Sequence, residues 1–154
     1  MGRVVVGRTP PGLWQPWGAL TVYMCVGDGN CFYRSVAVQV YGDQELYDDV
    51  RQELVEYVRC TPGVRVGDLL FSEACEHSVE QWAQETLTDG VYGGYLEAAL
   101  VSQYYDVQVE IYEGVVPRVP SSVFGEGKPT CVRLRLRLGF TRAFDHYDAV
   151  FASD

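Results

Sequence analysis

The chain has 154 residues, of which 47% are hydrophobic and 13% aromatic, enough for one compact domain that buries roughly two-thirds of the surface its unfolded form exposes. The formal net charge of −9 makes nucleic acid an unfavourable partner, because the field of the whole protein repels phosphate backbones. Many proteins are acidic for solubility alone, so the charge identifies no particular partner.

The sequence also bears on the cellular compartment. Its apolar stretches are far shorter than the ~20 residues of a membrane span, and residues 1–19 lack the continuous apolar core of a signal peptide. The five cysteines stand at irregular positions and do not form a paired disulfide framework, which is typical of a reducing compartment. We therefore expect a cytoplasmic protein without membrane insertion.

The first segment, residues 1–20, is predicted to be an extended arm packed on the core. It contains three prolines, two tryptophans and a run of three valines, a composition that is compatible with a strand but not with an independent domain. Residues 21–154 form the main domain, because no repeat, low-complexity tract or linker divides them.

A strand, a tight loop and two helices open the main domain. Residues 21–30 comprise a short apolar run and the turn sequence Gly-Asp-Gly-Asn, and a helix is predicted from Cys31 until Gly42 breaks it. Asp43 is placed to cap a second, amphipathic helix, which the Thr-Pro-Gly sequence at residues 61–63 stops.

The remaining pattern changes from helices to strands. Ser78 with Gln81 resembles the capping box of a helix to about residue 87, and a helix over residues 95–105 follows a glycine-rich turn. Apolar residues then alternate with polar ones in two short runs, and residues 149–151 form a short apolar end. The segment between the two runs, residues 114–129, is rich in proline and glycine and is predicted to be a loop. The order predicts an α+β fold with strands near residues 107–111, 132–138 and 149–151.

Cys31 is the candidate nucleophile. A cysteine nucleophile reacts as its thiolate, which a helix N-terminus and a neighbouring imidazolium both stabilise, and Cys31 is predicted to begin a helix. The turn at residues 27–30 can point successive backbone N–H groups toward one spot, as an anionic tetrahedral intermediate requires. The local pattern alone is equally compatible with an ordinary turn before a helix, so a base is needed to decide.

The chain offers two histidines as that base. His77 lies among glutamates ahead of a helix, and the nearby Cys75 cannot complete a metal site with it, so we interpret His77 as a solvated residue. His146 is followed by Asp148 in a predicted strand, where side chains two residues apart point to the same face. Asp148 can therefore fix the tautomer of His146 and stabilise its charged form.

Three segments of the chain match the motifs of one known family. Residues 28–35 read Asp-Gly-Asn-Cys-Phe-Tyr-Arg-Ser, residues 92–100 contain paired glycines after an aromatic residue, and residues 146–148 read His-Tyr-Asp. They resemble, in this order, the catalytic-cysteine motif, the middle segment and the terminal catalytic-histidine motif of the ovarian-tumour (OTU) family. The resemblance implies a papain-like OTU fold, a central β-sheet flanked by helices, with residues 21–154 as the catalytic domain.

The resemblance also implies a role for each motif residue. Cys31 attacks the carbonyl of the last glycine in the Gly-Gly tail of ubiquitin or a ubiquitin-like modifier, and its backbone N–H helps to bind the oxyanion. His146 takes the thiol proton and later protonates the leaving lysine amine, while Asp148 orients His146. Asp28 shapes the oxyanion loop. The other residues of that loop are Gly29 and Asn30, and the substrate-binding candidates are Tyr92, Gly93 and Tyr147.

The resemblance to the OTU family also bears on Tyr92 and Glu97. The family often has tryptophan where this chain has Tyr92, and the tyrosine is equally compatible with a wall for the Gly-Gly tail or with a core aromatic. Glu97 is interpreted as a residue of helix packing and surface. No metal or organic cofactor is implied, and we expect a monomer.

Three arginines alternate with leucines near the end of the chain. Arg133, Arg135 and Arg137 share one face of a predicted strand. They are compatible with an acidic partner, but we interpret them as a solvated outer face that also discourages edge pairing.

Three functions remain open from the sequence. The first is a cysteine isopeptidase, or deubiquitinase, whose compact size resembles viral OTU domains and predicts a viral antagonist of host ubiquitin signalling in the host cytoplasm. The second is a viral polyprotein-processing cysteine protease. The third is a non-catalytic ubiquitin-binding module, against which the intact cysteine, histidine and aspartate argue.

Overall fold

The computed structural model describes residues 11–76, 78–114, 117, 119–137 and 145–152. Within these ranges no helix has both the length and the apolar character needed to cross a bilayer. Two strands come first, β1 (Trp14–Trp17) and β2 (Leu20–Tyr23). The middle of the chain contains α1 (Cys31–Val40), a 3₁₀ turn (Gln44–Leu46), α2 (Tyr47–Cys60), β3 (Arg65–Val66), β4 (Leu69–Leu70), α3 (Phe71–Ala74), α4 (Val79–Leu87) and α5 (Tyr95–Tyr105). The last strands are β5 (Gln108–Tyr112), β6 (Ser122–Phe124), β7 (Cys131–Arg137) and β8 (His146–Ala152).

Six of the strands form one mixed sheet in the order β1-β2-β8-β7-β5-β6. Neighbouring strands are antiparallel except β5 and β7, which are parallel. The whole of β8 except its last two residues pairs with β7, whereas β2 pairs only with residues 149–152. The first residues of β8 are therefore held by β7 on one side and by the segment that follows β2 on the other.

Helix α1 is the centre of the core. All ten of its residues are buried, because it packs against β7 and β8 on one side and against α2 on the other. The main hydrophobic cluster joins this helix to α2, α4, α5 and the inner faces of β5, β7 and β8. A helix covered on all sides cannot shift without disturbing every layer, so its first residue has a fixed position.

The other face of the sheet carries a smaller cluster. Because side chains alternate along a strand, Val150 lies on the face opposite Ala149, which contacts Val38 of α1. The cluster on this outer face is made by Trp17, Val22, Tyr112 and Val150.

The α+β fold class and the sheet flanked by helices are confirmed. Helices begin at Cys31 and Tyr95 as predicted, and the Ser78 hydroxyl accepts a hydrogen bond from the backbone N–H of Gln81 at 3.1 Å. The cap predicted at Asp43 holds the 3₁₀ turn rather than α2 itself. The reason is geometric: the Asp43 carboxylate accepts from the N–H of Glu45, two residues on, which closes a tighter turn.

Two other expectations differ from the structure or lie beyond it. The segment predicted as a loop at residues 114–129 contains β6, which pairs with β5 across Val109 and Phe124. The arm at residues 1–20 includes the edge strand β1, while its valine run, with residues 1–10, lies outside the described residues. The boundary at residue 20 stays a prediction. His77 and Leu138 also lie outside the described residues.

Replacement of a core leucine tests the central position of this helix layer. Leu54 on α2 is fully buried, so Leu54→Ala is expected to lower the free energy of unfolding by about 2–5 kcal/mol, through lost transfer energy and the cavity left behind. Urea denaturation measures the change. Leu69→Ala is the matched control, because Leu69 is 50% exposed and its loss is expected to cost less than about 0.5 kcal/mol. Equal losses in the two variants would contradict the described core.

Candidate active site

Cys31 stands at the N-terminus of α1 with its side chain fully buried. No side chain caps this helix and its first turn contains no acidic residue, so the positive end of the helix dipole is left for the sulfur. The backbone N–H of Tyr147 also points at Cys31 Sγ, at 3.4 Å. Both features stabilise a negative charge on Cys31.

His146 is the first residue of β8, as the sequence predicts. Its Nε2 lies 2.7 Å from Asp148 Oδ1, and because an ionised carboxylate only accepts, this nitrogen carries the proton. Burial lowers the pKa of His146, but the hydrogen bonds and charges of Asp148 and of the Cys31 side chain raise it to about 9. The imidazole is therefore placed between Cys31 and Asp148 and is held in its charged form at neutral pH.

Asp148 is fully buried and accepts three hydrogen bonds. Its Oδ1 accepts from His146 and from the backbone N–H of Cys25 at 3.1 Å, and its Oδ2 accepts from Arg135 at 2.7 Å. Burial raises the pKa of Asp148, but these partners outweigh it and hold the pKa below its usual value. The orienting role predicted for Asp148 thus has a matching geometry.

The interpretation of the three arginines as a solvated face is wrong for Arg135. Arg135 is buried against Asp148, and Arg133 forms an ion pair with Glu110 at 3.1 Å. The physical reason is the register of the sheet, which places an acidic residue directly opposite each of these arginines.

Asp28 organises the loop in front of Cys31. Its carboxylate accepts from the backbone N–H of Asn30 at 3.0 Å and from the guanidinium of Arg34 at 2.9 Å. Burial raises the pKa of Asp28, but these hydrogen bonds outweigh burial and hold the pKa below its usual value, so the carboxylate is ionised. The Cys31 N–H, predicted to be an oxyanion donor, makes a 3.3 Å hydrogen bond to the Asp28 carbonyl oxygen. Asp28 therefore shapes the loop through both its side chain and its backbone.

Asn30 fastens the same loop to the segment before α5. Its side-chain oxygen accepts from the backbone N–H of Gly90 at 2.9 Å and from Arg51 at 2.7 Å. Gly29 touches this segment directly, since a Cβ built on Gly29 would lie 1.8 Å from the carbonyl oxygen of Gly90. Only glycine fits at position 29.

Arg51 is a supporting residue that sequence reasoning missed. It is fully buried on α2, donates to the carbonyl oxygens of Thr86 and Val91 at 2.8 and 2.6 Å, and lies over the Tyr33 ring at 4.0 Å from the centroid. A signal was present, because Arg51 occupies the apolar face of an amphipathic helix, three residues before Leu54. An arginine at such a position is expected only where buried hydrogen-bond acceptors pair with its guanidinium.

The three predicted substrate-binding residues differ in their surroundings. Tyr92 is 41% exposed, which argues against a core aromatic. Burial and the charges of Cys31 and Asp28 raise its pKa. Gly93 packs against α1, where a Cβ would lie 2.7 Å from the Phe32 ring. Tyr147 is buried and meets Phe32 edge-on at 5.3 Å, so its backbone N–H rather than its ring reaches Cys31.

Glu97 does more than pack at the surface. Its carboxylate accepts from the backbone N–H of Gly94 at 2.8 Å and from the indole N–H of Trp82 at 2.9 Å. This contact holds the paired glycines at the start of α5.

The arrangement provides a nucleophile, a base with an orienting carboxylate, and a loop shaped for an oxyanion, which together suit acyl transfer through a thioester. Among the described residues, no group of three or more histidine, cysteine, aspartate or glutamate side chains is placed to hold a metal ion.

Known proteins share this sequence pattern. The family model for OTU-like cysteine protease matches residues 26–147. OTU domain-containing protein 1 of Homo sapiens is 31% identical over 131 residues, which are 82% of this chain and 25% of that protein. The deubiquitinating enzyme 6 of Arabidopsis thaliana with an ovarian tumor domain is 33% identical over 85 residues, 55% of this chain and 16% of that protein. The chain thus spans about a quarter or less of the length of these two relatives.

Solved structures give the same result for the fold. The OTU domain of OTUD1 superposes with a TM-score of 0.66 and 27% identity, covering 86% of this chain and 85% of that domain. The viral OTU domain protease from Dera Ghazi Khan virus has a TM-score of 0.72 at 17% identity over 96% and 99% of the two chains. The Hazara virus OTU bound to ubiquitin has a TM-score of 0.59 at 22% identity over 92% and 96%. The two viral structures share the fold.

A side chain at position 29 tests the contact between the loop and Gly90. Gly29→Ala is expected to lower the free energy of unfolding by roughly 1–3 kcal/mol, because the new methyl group overlaps a backbone oxygen that has no room to move. Thermal and urea denaturation measure the loss. Gly94→Ala is the stability control, since a Cβ there meets nothing within 4 Å, and similar losses in both would refute the close approach.

The charge on His146 can be followed by nuclear magnetic resonance. In a His77→Gln background only one imidazole remains, and its titration midpoint is expected near pH 9. Cys31→Ala is expected to lower that midpoint, because it removes a hydrogen bond and a negative charge that favour the imidazolium. Cys60→Ala is the control, as its thiol is exposed. An unchanged midpoint in Cys31→Ala would separate His146 from Cys31.

Proposed function

Since this chain belongs to the OTU-like cysteine protease family, we propose that it is a cysteine isopeptidase that cleaves the bond after the C-terminal Gly-Gly of ubiquitin or a ubiquitin-like modifier. The family is that of OTU deubiquitinases, to which the Arabidopsis relative belongs by name. The Hazara virus OTU, which shares the fold, is bound to ubiquitin in its solved structure. Both observations support ubiquitin as the first substrate to test.

One observation carries the proposal: the start of β8 brings His146 and Asp148 to the buried Cys31, since the backbone N–H of Tyr147, the residue between them, lies 3.4 Å from Cys31 Sγ. His146 Nε2 is committed to Asp148 at 2.7 Å, and the hydrogen bond and charge of Cys31 help to raise the pKa of the same imidazole. Because Nε2 is occupied, Nδ1 is the nitrogen that exchanges a proton with Cys31 Sγ. A nucleophile and base in this relation serve covalent catalysis rather than simple binding.

In the first step, the thiolate of Cys31 attacks the carbonyl carbon of the terminal glycine. A carbon–sulfur bond forms and the carbonyl oxygen becomes an oxyanion, next to the loop that Asp28 and Asn30 hold in place. The intermediate collapses to a thioester when the carbon–nitrogen bond breaks. His146 supplies its proton to the leaving lysine amine, so the imidazole ends this step neutral.

In the second step, water hydrolyses the thioester. Neutral His146 removes a proton from the water as its oxygen attacks the same carbonyl carbon, and the carbon–sulfur bond then breaks. The glycine leaves as a carboxylic acid that loses its remaining proton to the solvent, the Cys31 thiolate is regenerated, and His146 again carries its proton. Asp148 stays ionised throughout and stabilises the imidazolium at each appearance.

Tyr92 is the best placed of the three substrate-binding candidates. It is partly exposed, and its hydroxyl lies within the field of Cys31 and Asp28. We propose that its ring forms one wall of the passage for the Gly-Gly tail, where only residues without side chains can pass. The rings of Phe32 and Tyr147 support Cys31 from within the core.

The setting of the protein is part of the proposal. A monomer acting on protein conjugates, without nucleic acid or membrane insertion, is consistent with the net charge of −9 and the five free cysteines. The cytoplasmic location and the viral origin stay predictions from cysteine usage and compact size. Gel filtration with light scattering tests the monomer directly.

Hydrolysis of a fluorophore from the C-terminus of ubiquitin tests the function. The wild type is expected to release the fluorophore, while Cys31→Ala and His146→Ala are expected to lose at least roughly 1,000-fold in kcat/KM, since nucleophile and base act as one unit. Parallel substrates made from a ubiquitin-like modifier measure selectivity.

The matched control is Cys60→Ala, because Cys60 is an exposed thiol whose hydrogen-bond partner is Glu56 and not a histidine, and its activity is expected to equal that of the wild type. Folded wild type that releases the fluorophore from neither substrate would contradict the isopeptidase proposal. Cleavage of a protein precursor, or binding of ubiquitin without hydrolysis, would then identify the polyprotein protease or the binding module.

A further inference from the structure

Strand β7 presents one buried arginine to the catalytic carboxylate. Arg135 Nη2 lies 2.7 Å from Asp148 Oδ2, and the two residues are direct cross-strand partners. Two residues earlier on the same face, Arg133 pairs with Glu110, which also accepts a hydrogen bond from the Tyr112 hydroxyl. The two arginines have the same chemistry and strand, but only Arg135 touches the residue that holds His146.

The burial of Arg135 is costly for stability alone. Its side chain is 10% exposed and that of Asp148 is fully buried, and a buried ion pair is often no more stable than apolar residues of the same volume. Among the described residues, the Arg135 Nε–H has no hydrogen-bond partner. The guanidinium is therefore only partly satisfied, which favours a role beyond stability.

The two oxygens of Asp148 are divided between different partners. Oδ1 accepts from His146 Nε2 and from the backbone N–H of Cys25, whereas Oδ2 accepts from Arg135. A carboxylate rotates readily about its last torsion unless both oxygens are held. The bond to Arg135 therefore fixes the rotation that aims Oδ1 at His146.

Strand β1 covers this arginine. The centre of the Arg135 guanidinium lies 5.3 Å from the Trp17 ring centroid, and Trp17 is itself buried and meets the Tyr112 ring edge-on at 6.2 Å. A cation over an indole face is attracted to it, and more strongly where water is excluded. Trp17 thus limits the movement of Arg135 and keeps water from the ion pair.

The titratable and charged groups around the imidazole come from α1, β7, β8 and the segment after β2. Cys31 lies at the start of α1, Asp148 lies two residues along β8, and Arg135 lies on β7. Arg137 of β7 is the cross-strand partner of His146, and the Cys25 thiol lies next to Asp148. Arg135 is the cation that contacts the carboxylate directly, so its removal leaves Asp148 with His146 as its one charged partner within hydrogen-bond distance among the described residues.

We propose that Arg135 is a positioning residue of the active site, which orients Asp148 toward His146 and shares its charge, with Trp17 of β1 as its cover. The inference rests on the proposed function. It links strand β1, which precedes the catalytic cysteine in the sequence, to the rate of the chemical step.

Arg135→Met tests the proposal in two independent measurements. Loss of the orienting contact is expected to lower kcat for the ubiquitin–fluorophore substrate roughly 10- to 100-fold, with KM changed by less than about threefold, since the substrate does not touch Arg135. Loss of a positive charge is expected to raise the titration midpoint of His146, in the His77→Gln background, by roughly half a unit to one unit.

Three further variants complete the test. Arg135→Lys restores the charge and is expected to return the midpoint to the wild-type value and to recover most of kcat. Trp17→Leu is expected to lower kcat in the same direction but less than Arg135→Met. Arg133→Met is the matched control and is expected to leave both kcat and the midpoint unchanged, because its partner Glu110 does not contact the active-site residues.

The outcomes separate the positioning role from the proposed function. If Arg135→Met matches Arg133→Met in both kcat and midpoint, the positioning role is overturned, and a loss of kcat that Arg135→Lys fails to recover at an unshifted midpoint overturns it too. The titration of His146 needs no substrate. Its midpoint in the variants therefore tests the positioning role even if the wild type is inactive. If Arg135→Met does not fold, Trp17→Leu carries the test, and a kcat equal to that of Arg133→Met in this variant overturns the positioning role.

Discussion

The active site depends on one contact, between the N-terminus of helix α1 and the first residues of strand β8. Cys31 and Tyr147 are 116 residues apart in the chain, yet the backbone N–H of Tyr147 lies 3.4 Å from the sulfur. The contact is possible because α1 is buried on all sides and packs against β8. Since neither element can move independently, nucleophile and base are aligned before any substrate arrives.

The loop in front of Cys31 is held with the same rigidity, but by polar groups. Asn30 uses its side chain to bind Gly90 and Arg51, so it leaves the N-terminus of α1 without a side-chain cap. An uncapped helix start is normally unfavourable, because its N–H groups lack partners. Here the positive end of the helix dipole acts at Cys31, where negative charge is expected first on the sulfur and then on the oxyanion. Arg51 adds a buried positive charge behind the loop, where no carboxylate pairs with it among the described residues. The local cost to folding and the benefit to catalysis therefore have the same origin.

Most of the fold and the central part of the site could be predicted from sequence, because they depend on short-range patterns. Helix starts at Cys31 and Tyr95 follow from turn residues and apolar spacing, and the link between His146 and Asp148 follows from the two-residue period of a strand. The strand β6 was not predicted, because its three residues carry too little periodicity and proline and glycine surround them. The contacts of Arg51 were not predicted either. It donates to backbone carbonyl oxygens of distant segments, and any residue type can supply such an acceptor.

The arginines of β7 show why a correct local pattern can lead to a wrong environment. Alternation places Arg133 and Arg135 on one face of the strand whether that face is wet or buried. What decides is the register with two neighbours of opposite direction: the parallel pairing with β5 sets Glu110 opposite Arg133, and the antiparallel pairing with β8 sets Asp148 opposite Arg135. The pair of Arg135 and Asp148 is the more deeply buried of the two, and Trp17, over whose ring Arg135 lies, covers it on this side of the sheet. The face of β7 that the sequence pattern indicates to be solvated is therefore one wall of the active site. From this face Arg135 holds Asp148, and Asp148 in turn holds His146.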